Sequence, residues 1–208
     1  MEEFDNYQKY LTKDIMHVCN NKTVIEFGPL HGYVTKTIIE NNPKKLICVE
    51  PDDYSIWVLE SSKLKIDEIY NLTANEFYAQ YRPANVVVAC GLLYHLHSPL
   101  HFLELIVNFS NPEWIILDSL LDYDILPTSF NILSKEELNR GGEAFTGKYK
   151  TIPLSLNIPG NYITKSLELL GYSLEKIEKN IECRNNKIWG WSCMYRKNIP
   201  LPPLELGS

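Results

Sequence analysis

Long apolar runs are missing from this chain. No stretch of about 18 apolar residues occurs in its 208 residues, so a membrane-spanning helix is not expected. The opening MEEFDNYQKYLTKD is polar and acidic. It lacks the basic-then-apolar order of a secretory signal, so the expectation is a cytoplasmic protein without a membrane partner. Cysteine is scarce as well. The five thiols, Cys19, Cys48, Cys90, Cys183 and Cys193, are odd in number and lack CxxC spacing, which favours buried free thiols over a disulfide framework. Positive charge is in deficit, and a net charge of −6 argues against a broad basic surface for nucleic acid. Internal repeats and low-complexity linkers are also lacking, and the expectation is one domain over residues 1–208.

The residues that are present suit a sizeable core, being 45% hydrophobic and 22% charged. Phe4, Tyr7, Tyr10, Leu11, Ile15 and Val18 recur at helical spacing, which predicts a leading helix within residues 1–20. Short apolar runs then alternate with amphipathic ones. Strands are predicted over 22–27, 45–50, 67–73, 85–90 and 114–118, with helices over 33–41, 53–62 and 98–109, the last capped by Ser98 with Pro99 at its first position. In the second of these helices, Tyr54 and Trp57 are expected to pack on the helix face rather than to stack beside a bound ligand. Regularity fails between 119 and 157, a stretch too long for an ordinary connection and read here as an insertion that supplies a substrate lid. It resumes with a helix over 158–170 ended by Gly171, then two strands over 173–181 and 187–196 whose short connection implies an antiparallel pair. Trp189 and Trp191 alternate as strand residues and are expected to pack in the core or at an edge rather than to form an aromatic cage. The class is α/β: seven strands, mostly parallel, with helices on both faces.

The chemistry is concentrated where the first strand turns into the first helix, VIEFGPLHGYV. Five residues after Gly28 comes Tyr33 rather than the Gly-Lys-Ser/Thr of a phosphate loop. A dinucleotide fingerprint needs glycine at 28, 30 and 33, and only Gly28 is present. Glu26 adds a charge that repels a pyrophosphate. What remains is acid-x-Gly-x-x-x-Gly, and the second strand ends on another acid, Glu50, followed by Pro51, Asp52 and Asp53. A carboxylate at that strand tip is placed to accept both hydroxyls of a ribose. The two acidic strand ends suit a cationic nucleoside without phosphate.

These residues resemble the class I S-adenosylmethionine-dependent methyltransferases. VIEFGPLHG looks like that family's acid-x-Gly-x-Gly-x-Gly motif, ICVEPDD like its second-strand acidic motif, and NVVVACGLLYHLHSPLHFLELI like its fourth-strand region. The departure is Leu30, which stands where the middle glycine often lies. The resemblance implies a Rossmann-like sheet and S-adenosyl-L-methionine as cofactor. It implies a cofactor site made of Glu26, Gly28, Pro29, Gly32, Glu50, Pro51 and Asp52, of Thr73, Ala74 and Asn75 beside the adenine, and of Cys90, Gly91 and Leu92 after the fourth strand.

Candidates for the chemical step are Tyr94, His95 and Asp118, at or just beyond the carboxyl ends of strands, where open α/β sheets bind ligands. His95, His97 and His101 form an HxHxxxH pattern without a carboxylate or thiol at convincing spacing, so no metal site is expected. Arg140, Lys148 and Tyr149 in the insertion are candidates for holding an anionic acceptor. The reading is methyl transfer to a small-molecule acceptor. The stretch TIPLSLNIPGNYITKSLELLGY resembles the closing part of tRNA-uridine carboxymethyltransferase relatives, which leaves open carboxymethyl transfer or methylation of a tRNA nucleoside. Two further readings stand beside these. One is a cofactor-binding module without turnover, and the other is an NAD(P)-dependent oxidoreductase, which Leu30 and Tyr33 disfavour.

Overall fold

The computed structural model describes residues 16–80, 82–96, 98–119, 131–132, 154–155, 158–179, 182–183, 187–188 and 190–198. Five strands run parallel: β1 (Thr23–Phe27), β2 (Lys45–Val49), β3 (Glu68–Tyr70), β4 (Val86–Cys90) and β5 (Trp114–Ser119). Two dipeptide strands, β6 (Asn131–Ile132) and β7 (Leu154–Ser155), pair antiparallel with each other. They are followed by β8 (Tyr172–Lys179), the short antiparallel pair β9 (Glu182–Cys183) and β10 (Lys187–Ile188), and β11 (Trp191–Lys197). The main sheet is ordered β3-β2-β1-β4-β5-β11-β8, with β11 inserted antiparallel between β5 and β8. This is the seven-stranded, mostly parallel sheet with a terminal antiparallel pair that the sequence predicts.

The connecting helices are α1 (Tyr33–Glu40), α2 (Asp53–Ser61), α3 (Ala74–Phe77), α4 (Pro99–Leu105) and α5 (Gly160–Leu169). Alternation along each strand divides the core. Ile25, Phe27, Val87, Ala89, Ile115, Leu117 and Trp191 pack on one face with Phe102 and Leu103 of α4 and Ile163 and Leu167 of α5. Val24, Leu46, Val86, Val88, Ile116 and Met194 pack on the other with Val34 and Ile38 of α1 and with the 3₁₀ turn Met16–Cys19. Helices on both faces explain why VVVAC carries no polar residue at its alternate positions. Trp191 is fully buried, as its alternation predicts, and Trp189 lies outside the described residues.

Three local expectations need correction. The third strand is shorter than its predicted 67–73, because Thr73 instead caps α3: its hydroxyl accepts the Glu76 amide while the Glu76 carboxylate accepts the Thr73 amide. Ser98 occupies the cap position of α4 but makes no capping hydrogen bond, leaving Pro99 and the following π turn Ile106–Ser110 to define that helix. Tyr54 and Trp57 are not packed on the helix face; they are exposed and stack on each other, with His31 edge-on to Tyr54. Of the predicted leading helix only the 3₁₀ turn falls among the described residues, and the rest of that prediction lies outside them.

Candidate active site

The parallel strands deliver their carboxyl ends to one edge, and the predicted ligand residues gather there. The turn from β1 to α1 runs Gly28-Pro29-Leu30-His31-Gly32, closed by the Gly32 amide donating to the Pro29 carbonyl at 2.8 Å. Gly28, Leu30 and Gly32 have φ of 67°, 49° and 82°. Left-handed backbone therefore recurs at every second residue, and Leu30 adopts a conformation that glycine takes freely, at a cost of about 1–2 kcal/mol. Gly28 also permits a close approach, since a Cβ there would stand 3.3 Å from Leu92 Cδ1. The turn after β1 and the loop after β4 consequently touch.

Glu50 ties this turn to the next one. Its Oε2 accepts the Leu30 amide and its Oε1 the Asp52 amide, each at 3.1 Å. The side chain is buried, and burial raises its pKa against the two amide hydrogen bonds. A carboxylate offers about four acceptor positions, so two hydrogen bonds leave capacity for ligand hydroxyls. Asp52 caps α2 by accepting from the Ser55 amide and hydroxyl through Oδ2, both at 2.8 Å. Its Oδ1 is buried without a hydrogen-bond partner among the described residues.

Glu26 lies on the α1 side of the sheet and is 2% exposed. Thr35 Oγ1 donates to its Oε2 at 2.8 Å, and Cys48 Sγ approaches the same oxygen at 3.6 Å. Burial pushes the Glu26 pKa up to about 7, opposed by these two hydrogen bonds. At the neighbouring strand ends, the Gly91 amide donates to Asp118 Oδ1 at 2.6 Å, and burial raises the Asp118 pKa to about 7. Asp118 thus anchors the first residue of the loop after β4. Ser192 faces Asp118 directly in the β5–β11 register, and its buried hydroxyl has no hydrogen-bond partner among the described residues. Desolvation lowers the pKa of His95, in the 3₁₀ turn Leu93–His95, to about 4, so its imidazole is neutral at neutral pH.

The edge thus brings together Glu26, Gly28, Pro29, Gly32, Glu50, Asp52, Cys90, Gly91, Leu92, His95 and Asp118. Thr73 is engaged in its cap and Asn75 is exposed on α3. The Tyr94 side chain and Arg140, Lys148 and Tyr149 lie outside the described residues. Sequence reasoning missed Thr35 and Ser192. For Thr35 a signal existed, a hydroxyl on the apolar stripe between Val34 and Ile38 of α1; for Ser192 only the strand register reveals it. A cavity of about 420 Å³ lined by Asn85, Asn111, Glu113 and Arg196 opens at the opposite edge, away from every residue named above.

No protein-family model and no curated protein matches the sequence. Solved structures do match the fold. An S-adenosylmethionine-dependent methyltransferase from Mesorhizobium loti superposes with a TM-score of 0.66 at 7% identity, covering 95% of this chain and 98% of that one. The N-methyltransferase NodS from Bradyrhizobium japonicum gives 0.62 at 12% identity, with coverage of 93% and 98%. The magnesium protoporphyrin IX methyltransferase ChlM from Synechocystis, with bound SAH, gives 0.63 at 10% identity, with coverage of 94% and 84%. The strand order and these superpositions agree that the chain has the fold of the class I S-adenosylmethionine-dependent methyltransferases.

Proposed function

We propose that the protein is an S-adenosylmethionine-dependent methyltransferase acting on a small-molecule acceptor. The observation that carries the reading is the turn at residues 28–32, left-handed at 28, 30 and 32 and tied through the Leu30 amide to the Glu50 carboxylate. It presents backbone without phosphate-binding glycines, flanked by the buried carboxylates of Glu26 and Glu50. Those residues fit a cationic nucleoside and repel a dinucleotide pyrophosphate.

S-adenosylmethionine supplies a methyl group on a sulfonium leaving group. In this reading the protein's task is positioning and exclusion of water, effects worth on the order of 7–11 kcal/mol in favourable cases. Glu50 accepts the ribose hydroxyls with its remaining lone pairs. Gly28 and the Cys90–Leu92 loop let backbone close on the ligand, and Asp118 holds that loop through Gly91. Neutral His95, with a pKa near 4, is a poor proton acceptor and serves as a polar wall. Asp118, with a pKa near 7, is the stronger candidate where an acceptor proton must leave. The net charge of −6 supports a small acceptor over an RNA backbone.

Thermal unfolding with S-adenosylmethionine, S-adenosylhomocysteine (SAH) and NADH tests the reading. At 100 times its dissociation constant, a ligand that binds only the folded state stabilises it by about 2.7 kcal/mol. Both sulfur nucleosides are expected to raise the melting temperature, NADH is not, and Glu50→Gln should weaken both by at least about tenfold, the effect of one charge-assisted hydrogen bond. Stabilisation by NADH alone would replace the methyltransferase with an oxidoreductase.

A further inference from the structure

Glu26 is a buried carboxyl group with no cation beside it among the described residues. Its neighbours are the hydroxyl of Thr35 on α1, the thiols of Cys48 on β2, Cys90 on β4 and Cys19 in the 3₁₀ turn, and the carboxylate of Glu50 beyond β2. No lysine, arginine or histidine ion-pairs with it among the described residues. The thiols stay neutral, since burial pushes Cys19 up to about 12 and Cys48 and Cys90 upward as well. A buried carboxylate in such company is ionised only if hydrogen bonds support it or a cation arrives. The short hydrogen bond from Thr35, itself fully buried in the first turn of α1, is the strongest support present, and the amino-terminal end of that helix favours negative charge.

We propose that Thr35 is a positioning residue whose hydroxyl keeps Glu26 ionised and fixed at the base of the glycine turn, where the carboxylate attracts the ammonium group of the bound nucleoside. The inference rests on the cofactor reading above. It follows that affinity depends on pH in the neutral range, because Glu26 titrates near 7 in the free protein. The titratable groups facing it among the described residues, three neutral thiols and a second carboxylate, supply no positive charge to compensate.

Calorimetric titration with SAH between pH 5.5 and 8.0 tests this. For the wild type, affinity should be near its plateau at pH 8 and fall by up to about tenfold per pH unit below 7. Thr35→Val, which keeps the shape and removes the donor, should move the midpoint up by about one pH unit. Thr35→Ser should restore the wild-type profile, and Glu26→Gln should bind weakly with a shallower pH dependence, the remainder being that of Asp118 and Glu50. A Thr35→Val profile that overlays the wild type, or a flat wild-type profile, overturns the role of Thr35 and leaves the cofactor reading intact. Absence of SAH binding at every pH overturns both. Melting temperatures of the two Thr35 variants at pH 8 separate the titration effect from loss of fold.

Discussion

At the scale of single residues, Leu30 is the most informative position. A leucine at φ 49° pays a steric cost that glycine would not, yet the turn keeps the conformation because its amide is held by Glu50 and its neighbour Gly32 closes on Pro29. Leu30→Gly exchanges that strain for greater entropy of the unfolded chain, and urea unfolding should find stability unchanged within about 0.5 kcal/mol. Leu30→Val places a β-branched side chain in left-handed backbone and should lose more than about 1 kcal/mol. Equal losses in the two variants would mean that the leucine side chain, not the backbone, holds the turn. The spacing of Gly28 and Gly32 made the turn readable from sequence. That position 30 keeps a glycine conformation without glycine was not readable, because φ there is imposed by the Glu50 hydrogen bond from another loop.

Among elements, Glu50 acts as a brace between the β1–α1 and β2–α2 turns before any ligand arrives. Were its role confined to the ligand, Glu50→Ala would leave the free protein's stability alone. The two amides it accepts predict otherwise: removing the carboxylate strands the Leu30 and Asp52 N–H groups and should cost about 1–3 kcal/mol in urea unfolding without ligand. An unchanged unfolding midpoint would show that water replaces the carboxylate freely. Element identity was legible wherever burial was one-sided or complete, as in KLICV and VVVAC, since alternation and apolar runs follow directly from packing. The four-residue α3 was not, because it depends on a capping box, Thr73 with Glu76, inside a stretch whose composition also suits a strand. Likewise Tyr54 and Trp57 have the apolarity of packing residues, but the rotation of α2 on the sheet, which sequence does not specify, turns them outward.

At the scale of the molecule, charge among the described residues is segregated by the direction of the strands. Lys22–Glu113 and Lys45–Glu68 pair near the strand starts, and Arg196 lies over Trp114 there, while Glu26, Glu50, Asp52 and Asp118 are buried at or beyond the strand ends. The succession of strands and helices along the chain was readable from alternating apolar runs, but their spatial order and this polarity needed the register, which sets Asp118 beside Gly91 and opposite Ser192. It has a consequence for pH. Glu26 and Asp118 titrate near 7 in the fold against ordinary values of 4.5 and 3.8. Below about pH 4 both are protonated folded and unfolded, and their contribution to stability is fully present. As pH rises through 7 that contribution is lost, because the folded protein must then hold two buried charges. Glu68 and Glu113, lowered by their lysines, act in the opposite sense at lower pH, but both are largely solvated and their effect is small. The urea midpoint of the ligand-free protein should therefore fall between pH 5.5 and pH 8. Glu26→Gln and Asp118→Asn, the latter still able to accept the Gly91 amide, should each flatten the slope and raise stability at pH 8 by more than about 1 kcal/mol. A midpoint that rises over this range, or variants less stable than wild type at pH 8, would show that these carboxylates have charged partners in the free protein.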